Sequence, residues 1–229
     1  MASSSEKIEL AWLAQSMYDG QLPSKYQAID LSDVCQSLSL TLTPHGAACC
    51  NDSAMVARYV SAGGTRYLVF GGTTAGNAVS DQLWERVKAD SKLHLIQWVT
   101  NVFSAIGGVS SNLEQAKRLA ESLDPDGLIL VGHSKGAVEA TYAALALGLP
   151  AVVFCSPGLS QRVLISLPQP GADQIHHFAL VDDPVSALPQ QLGWLSLPGT
   201  THWMQGPADV SGVDQHQQFY RLLPDAKAV

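Results

Sequence analysis

Gly127-Leu-Ile-Leu-Val-Gly-His-Ser-Lys-Gly136, running on into an Ala-rich segment that closes at Gly148 and Pro150, is the stretch whose reading decides the fold. Residues 128–131 are apolar without alternation, as in a strand buried on both faces of a parallel sheet. A sharp turn follows, with Gly132 and Gly136 two residues either side of Ser134, and a helix is predicted over 138–147 with Gly148 and Pro150 as stop signals. Strand, G-x-S-x-G turn and helix in that order hold a serine at the tip of a strand. Side chains two before and two after such a serine would collide with the converging backbones, hence glycine at both places. The arrangement predicts an exposed Oγ above a helix N-terminus, whose N–H groups can stabilise an oxyanion. A glycine-bounded turn without chemistry can share the five-residue spelling, but the buried strand before it and the helix after it favour Ser134 as a nucleophile.

The surrounding composition narrows the classes. At 229 residues the chain suits one well-buried α/β domain spanning residues 1–229 and is short for two. Hydrophobic residues make up 46% and charged residues only 14%, so the surface is poor in charge. A net charge of -7 argues against nucleic acid as a partner and supplies no polybasic membrane anchor. No run reaches the roughly 18 apolar residues of a membrane span, and residues 1–20 lack the basic and apolar regions of a cleaved leader. Cys35, Cys49, Cys50 and Cys155 show neither C-x-x-C spacing nor the density of a disulfide framework. The expected location is cytoplasmic, or outside the cell by a route without a cleaved signal peptide.

Outward from the serine, the pattern is an open, mostly parallel sheet covered on both faces. Residues 6–19 carry Ile8, Leu10, Ala11, Leu13, Ala14 and Met17 at helical spacing. Residues 27–40 read as a second or broken helix, and 41–52, with Pro44, Gly46 and two adjacent cysteines, as loop. Residues 54–61 and 66–70 read as a hairpin joined through Gly63-Gly64. The glycine-rich segment 70–76 lacks any phosphate-cradling spacing and reads as a loop whose backbone faces a ligand. A helix over 79–88, a strand over 93–99 and a short helix over 101–108 lead to Ser111-Asn-Leu-Glu114, spelled as a helix start. Further strands are expected over 151–155, 175–181 and 193–197, and a final helix or half-helix over 212–223.

A serine hydroxyl near its free pKa is a weak nucleophile and needs a base, itself oriented by a carboxylate. In doubly wound hydrolases these follow in the order Ser, Asp, His. Asp182 and Asp183 close the strand over 175–181, at the strand edge where ligands bind in such sheets. Downstream of them stand only His202 and His216. His176 and His177 precede the acid and point to opposite faces, and this adjacent pair lacks metal-ligand spacing. His133 reads as the variable position of the turn.

Four segments together resemble the class 3 lipases: Val-Phe-Gly-Gly-Thr-Thr at 69–74, Gly-His-Ser-Lys-Gly-Ala-Val-Glu-Ala at 132–140, Asp-Pro-Val-Ser-Ala-Leu-Pro at 183–189 and Asp-Gln-His-Gln-Gln-Phe-Tyr at 214–220. The family's own spellings are F-R-G-T, G-H-S-L-G-G, D-x-V-P-x-L-P and D-H-x-x-Y, and G-H-S-K-G is similar to the spelling of bacterial relatives. The resemblance implies an α/β-hydrolase fold, a lipid or other acyl ester as substrate, and no metal or organic cofactor. It implies Ser134 as nucleophile, Asp183 as acid, His216 as base with His202 the alternative, and Thr73 with the Lys135 N–H as oxyanion donors. Three positions depart: Gly71 stands for the family's arginine, Lys135 for a leucine, and Gln215 separates Asp214 from His216. The expected activity is that of a serine esterase. An acyltransferase or thioesterase with the same triad, and a silent binding module on the same fold, are the rivals. An apolar acyl groove is expected beside Ser134, bordered by 74–92. The reading includes no nucleic acid and no membrane span, leaves room for transient membrane-surface contact, and sets no oligomeric state.

Overall fold

In the computed structural model of the chain, the structure describes residues 4–43, 46–50, 55–72, 111–168, 171–222 and 227–228. The helices and strand expected over 79–108, and the groove segment 74–92, lie outside these residues.

In chain order the described elements are α1 (Ser4–Asp19), β1 (Gln27–Ala28), α2 (Ser32–Ser37), β2 (Thr41–Leu42), β3 (Ala47–Cys50), β4 (Met55–Ala62), β5 (Thr65–Phe70), α3 (Ser111–Glu121), β6 (Leu128–His133), α4 (Lys135–Leu147), β7 (Ala151–Phe154), β8 (Leu159–Ser160), α5 (Gln161–Ser166), β9 (Ile175–Leu180), α6 (Pro184–Gln191), β10 (Leu195–Ser196), β11 (Thr200–Gln205), α7 (Gly212–Gln217), α8 (Phe219–Leu222) and β12 (Lys227–Ala228). The main sheet runs β12-β11-β9-β7-β6-β5-β4-β3-β2, with β1 paired to β4. Its centre, β5-β6-β7-β9-β11, is parallel, and both margins are antiparallel.

The unbroken apolar run of β6 follows from cover on both faces. Leu128 and Leu130 enter the core formed with α2, α3 and α4, whereas Val131 packs into the core formed with α1. β5 and β7 divide the same way, Leu68, Phe70 and Val153 to one side and Tyr67, Val69 and Phe154 to the other. Helix α1 buries Leu10, Leu13, Ala14 and Met17 against the second core, the face its spacing predicts. Gly148 closes α4 in a left-handed conformation (φ 71°) that glycine adopts at little cost.

Three expectations change, and one unassigned segment gains a structure. The stretch 41–52, read as loop, contributes β2 and β3 to the antiparallel margin, and 27–40 divides into β1 and α2. The segment 184–189 is helical, since Pro184 occupies the first turn, where a missing N–H costs nothing. Only Leu195–Ser196 of the stretch 193–197 is strand, paired with β8 outside the main sheet; the outer parallel strand is instead β11, beside β9.

Candidate active site

Ser134 joins β6 to α4 at φ 57°, ψ -122°, a conformation that costs an L residue about 1–3 kcal/mol. Its N–H donates to the Phe154 carbonyl (3.1 Å), and its own carbonyl accepts from Ala137 N–H (3.1 Å). A β-carbon at Gly132 would collide with the Gly136 carbonyl, and one at Gly136 with the Phe70 carbonyl, so both glycines are required by close approach. The helix begins at Lys135, ahead of the expected 138, because Ser134 itself occupies the N-cap position. The serine is also buried, at 3% exposure, where an exposed Oγ was expected. The His216 imidazole lies over it, its Nε2 3.0 Å from Ser134 Oγ.

His216 lies on α7, buried. Gly212, at the start of that helix, comes so near the Asp182 carbonyl that a side chain there would clash, and this brings α7 against the turn at the end of β9. There His216 Nδ1 is 3.0 Å from Asp183 Oδ2. Asp183, fully buried, caps α6: Oδ1 accepts from Val185 N–H (2.9 Å) and Oδ2 from Ser186 Oγ (2.6 Å). Ser186 was not among the sequence candidates; an Asp-Pro helix start with a hydroxyl three residues after the Asp is the signal that finds it. The inserted Gln215 has a place of its own, donating from Nε2 to the carbonyls of Pro207 (3.2 Å) and Val210 (3.0 Å) and so anchoring the loop before the base.

On the donor side, the Lys135 backbone N–H stands in the first turn of α4, next to Ser134. The Lys135 side chain folds back along the helix to Glu139 Oε1 (2.6 Å), which also accepts from Asn112 Nδ2 (2.9 Å). Burial raises the Glu139 pKa; the lysine opposes that and is outweighed. Gly71 donates its N–H to the Val56 carbonyl (2.9 Å), and Gly72 reaches the carbonyl side of the elbow, near His133 O. Thr73 lies outside the described residues.

The other candidates stand elsewhere. His202 is on β11, stacked on Phe178 (4.6 Å between centroids) with Nε2 3.3 Å from His176 Nδ1; burial first and His176 next lower its pKa. His177 is buried and donates from Nε2 to the Pro198 carbonyl (2.9 Å), and burial lowers its pKa to about 4. Asp182 is exposed and accepts from Gln205 Nε2 (2.8 Å). A cavity of about 460 Å³ lined by Leu10, Ile129, Val152 and His176 sits at the N-terminal ends of β6, β7 and β9, the edge opposite Ser134.

His133, Cys155 and His216 bring ligating atoms within 4.8 Å of one another. The four ring nitrogens are already bonded, to Tyr18, the His216 carbonyl, Asp183 and Ser134. The Cys155 thiol is pushed well above its ordinary pKa by burial and then by Asp183, so it stays protonated. A metal would have to displace those bonds and a proton, and the set is organised as a hydrogen-bonded network.

The family model described as Tle-like phospholipase domain matches residues 9–215. No curated protein matches the sequence. Among solved structures, a deletion mutant of the Rhizomucor miehei lipase propeptide complex aligns with a TM-score of 0.50 at 14% identity over 88% of this chain and 67% of that one. The lipase of Rhizopus microsporus var. chinensis (TM-score 0.48, 16% identity, 90% of this chain, 76% of that one) and the triacylglycerol lipase of Penicillium expansum (0.47, 16%, 90% and 82%) are further matches. The chain thus spans about two thirds of the two Rhizomucor miehei chains, 66% and 67% of their lengths, and at these identities what is shared is the fold. A family match over most of the chain leads to one conclusion: this chain belongs to the Tle-like phospholipase domain family.

Proposed function

We propose that residues 1–229 form one α/β-hydrolase domain that cleaves carboxylic esters of lipids through an acyl-enzyme. The observation that carries this reading is the continuous relay from Ser134 Oγ through His216 to Asp183, 3.0 Å at each step. Asp183 accepts from Nδ1–H and so leaves Nε2 bare to take the serine proton. Oγ attacks the ester carbonyl as His216 removes its proton, and the oxyanion is met by the Lys135 N–H and by Thr73. His216 then passes the proton to the leaving alkoxide. A water enters, gives its proton to His216, attacks the acyl carbon and releases the acid, restoring Ser134. Lipid is the favoured substrate because the matching family is described as phospholipase-like.

The test is a fluorophosphonate together with an ester series. The purified chain should be labelled at Ser134, and kcat/KM on p-nitrophenyl esters from acetate to decanoate should rise several-fold per carbon, since each buried methylene contributes roughly 0.8 kcal/mol. Absence of label on Ser134 in the folded protein overturns the nucleophile. Activity that falls steadily from acetate overturns the lipid reading and leaves a small-ester hydrolase.

The acid gives a sharper outcome. Asp183→Asn retains an acceptor for the Val185 N–H, so the cap of α6 survives. It places an amide N–H₂ where Oδ2 receives Ser186 and His216. The imidazole must then turn its proton to Nε2, facing the serine. The expected loss in kcat is on the order of 10⁴-fold with the melting temperature nearly unchanged. Asp182→Asn should leave kcat nearly untouched. Equal losses at the two positions would contradict the assignment.

A further inference from the structure

Alternation along β6 sends His133 to the same face as Val131, toward α1. There its Nδ1 lies 2.7 Å from Tyr18 Oη, and its Nε2 lies 3.1 Å from the carbonyl of His216. The ring stacks on Phe219 (4.0 Å between centroids, 7° between planes), three residues past His216, and its centroid is 4.7 Å from that of His216. Tyr18 keeps part of its surface accessible, but its hydroxyl is enclosed, so close to Gly72 that a β-carbon there would collide with it. Position 72 directly precedes Thr73.

The proton positions in this chain follow from chemistry. A backbone carbonyl only accepts, so His133 Nε2 carries the hydrogen that meets His216 O. Burial, and then the neighbouring His216, lower the His133 pKa well below its ordinary value, so the ring is neutral and Nδ1 is bare. Tyr18 must therefore donate to Nδ1. Burial raises its phenol pKa, with the Gly72 amide opposing, so the hydroxyl keeps its proton. Each donor in the series has one available direction: Tyr18 to His133, and His133 to the main chain of His216, with the Tyr18 hydroxyl packed against Gly72.

We propose that Tyr18 and His133 are positioning residues that hold the base-bearing α7 to the nucleophile turn through one hydrogen-bonded series, with the Tyr18 hydroxyl packed against Gly72 beside it. The inference rests on the triad reading above. Neither side chain need touch the substrate. Their effect is on the register of His216 against Ser134, where about an ångström of displacement can cost on the order of 100-fold in rate.

The test is Tyr18→Phe, which removes one oxygen and keeps the ring that meets His133 edge-on (5.6 Å, 72°). With rates normalised to titrated sites, kcat should fall about 10- to 100-fold, KM should change little, and the fluorophosphonate labelling rate should fall by the same factor as kcat. His133→Gln, which can still donate to the His216 carbonyl, should retain more activity than His133→Ala. Adding Tyr18→Phe to His133→Ala should cost almost nothing further, because the series is already broken. A residue that only supports the fold would lower the melting temperature and the fraction of active sites while leaving kcat per site unchanged. Wild-type kcat per site in Tyr18→Phe, or full additivity with His133→Ala, overturns the inference while the triad stands. A wild-type protein that takes no label at Ser134 overturns the triad and this inference together.

Discussion

Ser134→Ala removes ester hydrolysis, with kcat falling by on the order of 10⁴- to 10⁶-fold, to what an oxyanion hole and substrate binding sustain alone. At about 1.4 kcal/mol per decade, this is roughly 5.5–8 kcal/mol of lost transition-state stabilisation. The fold should survive. Alanine keeps the β-carbon, so the strain at φ 57° is the same in both proteins, and the elbow is held by backbone bonds to Phe154 and Ala137 that the substitution does not touch. What goes is the hydroxyl's bond to His216 Nε2, about 1 kcal/mol as a net hydrogen bond. Purified variant and wild type are compared by circular dichroism, melting temperature and initial rate. More than a few per cent of wild-type turnover in the folded variant would falsify the nucleophile.

The elbow was readable because several independent constraints coincide within ten residues. The strand shows as an unbroken apolar run because both its faces are covered, and each of its glycines answers a backbone that comes too close for a side chain. Asp183 and His216 were readable as members of a spaced set, and only because chain order and motif narrow the choice. The margins of the sheet were not. β2 has two residues, too few for any period, and β11 reads Thr-Thr-His-Trp-Met-Gln, mostly half-buried, so its alternation is weak beside the apolar Trp194-Leu-Ser-Leu197 that takes the strand signal without joining the sheet. α6 was hidden by two prolines that the helix accommodates. His133 was passed over for a different reason. Its partner Tyr18 is 115 residues away, and the contact exists only because α1 covers the face of β6 to which position 133 points. Parity along the strand places the ring on one side of the sheet. Nothing in local sequence says which helix waits there.

His216→Ala should remove activity to the same background as the serine variant, because a triad fails as a unit and the loss of nucleophile or base is not additive. Truncation leaves the Asp183 carboxylate buried without its imidazole, a situation that costs about 3–5 kcal/mol when a charge has no other partner. Here it keeps the Val185 N–H and the Ser186 hydroxyl at the N-terminus of α6, so the protein should stay folded with a lowered melting temperature. The His133 bond to position 216 goes to the backbone carbonyl and also survives. His202→Ala is the necessary comparison. That ring, on β11, stacks on Phe178 and meets His176 of β9, so its loss should lower stability while kcat stays close to wild type. Rates normalised to folded protein, with fluorophosphonate labelling of each variant, separate the two histidines: His216→Ala should label at a rate near zero and His202→Ala at the wild-type rate. The reverse pattern would move the base to β11 and break the relay from which the mechanism was built.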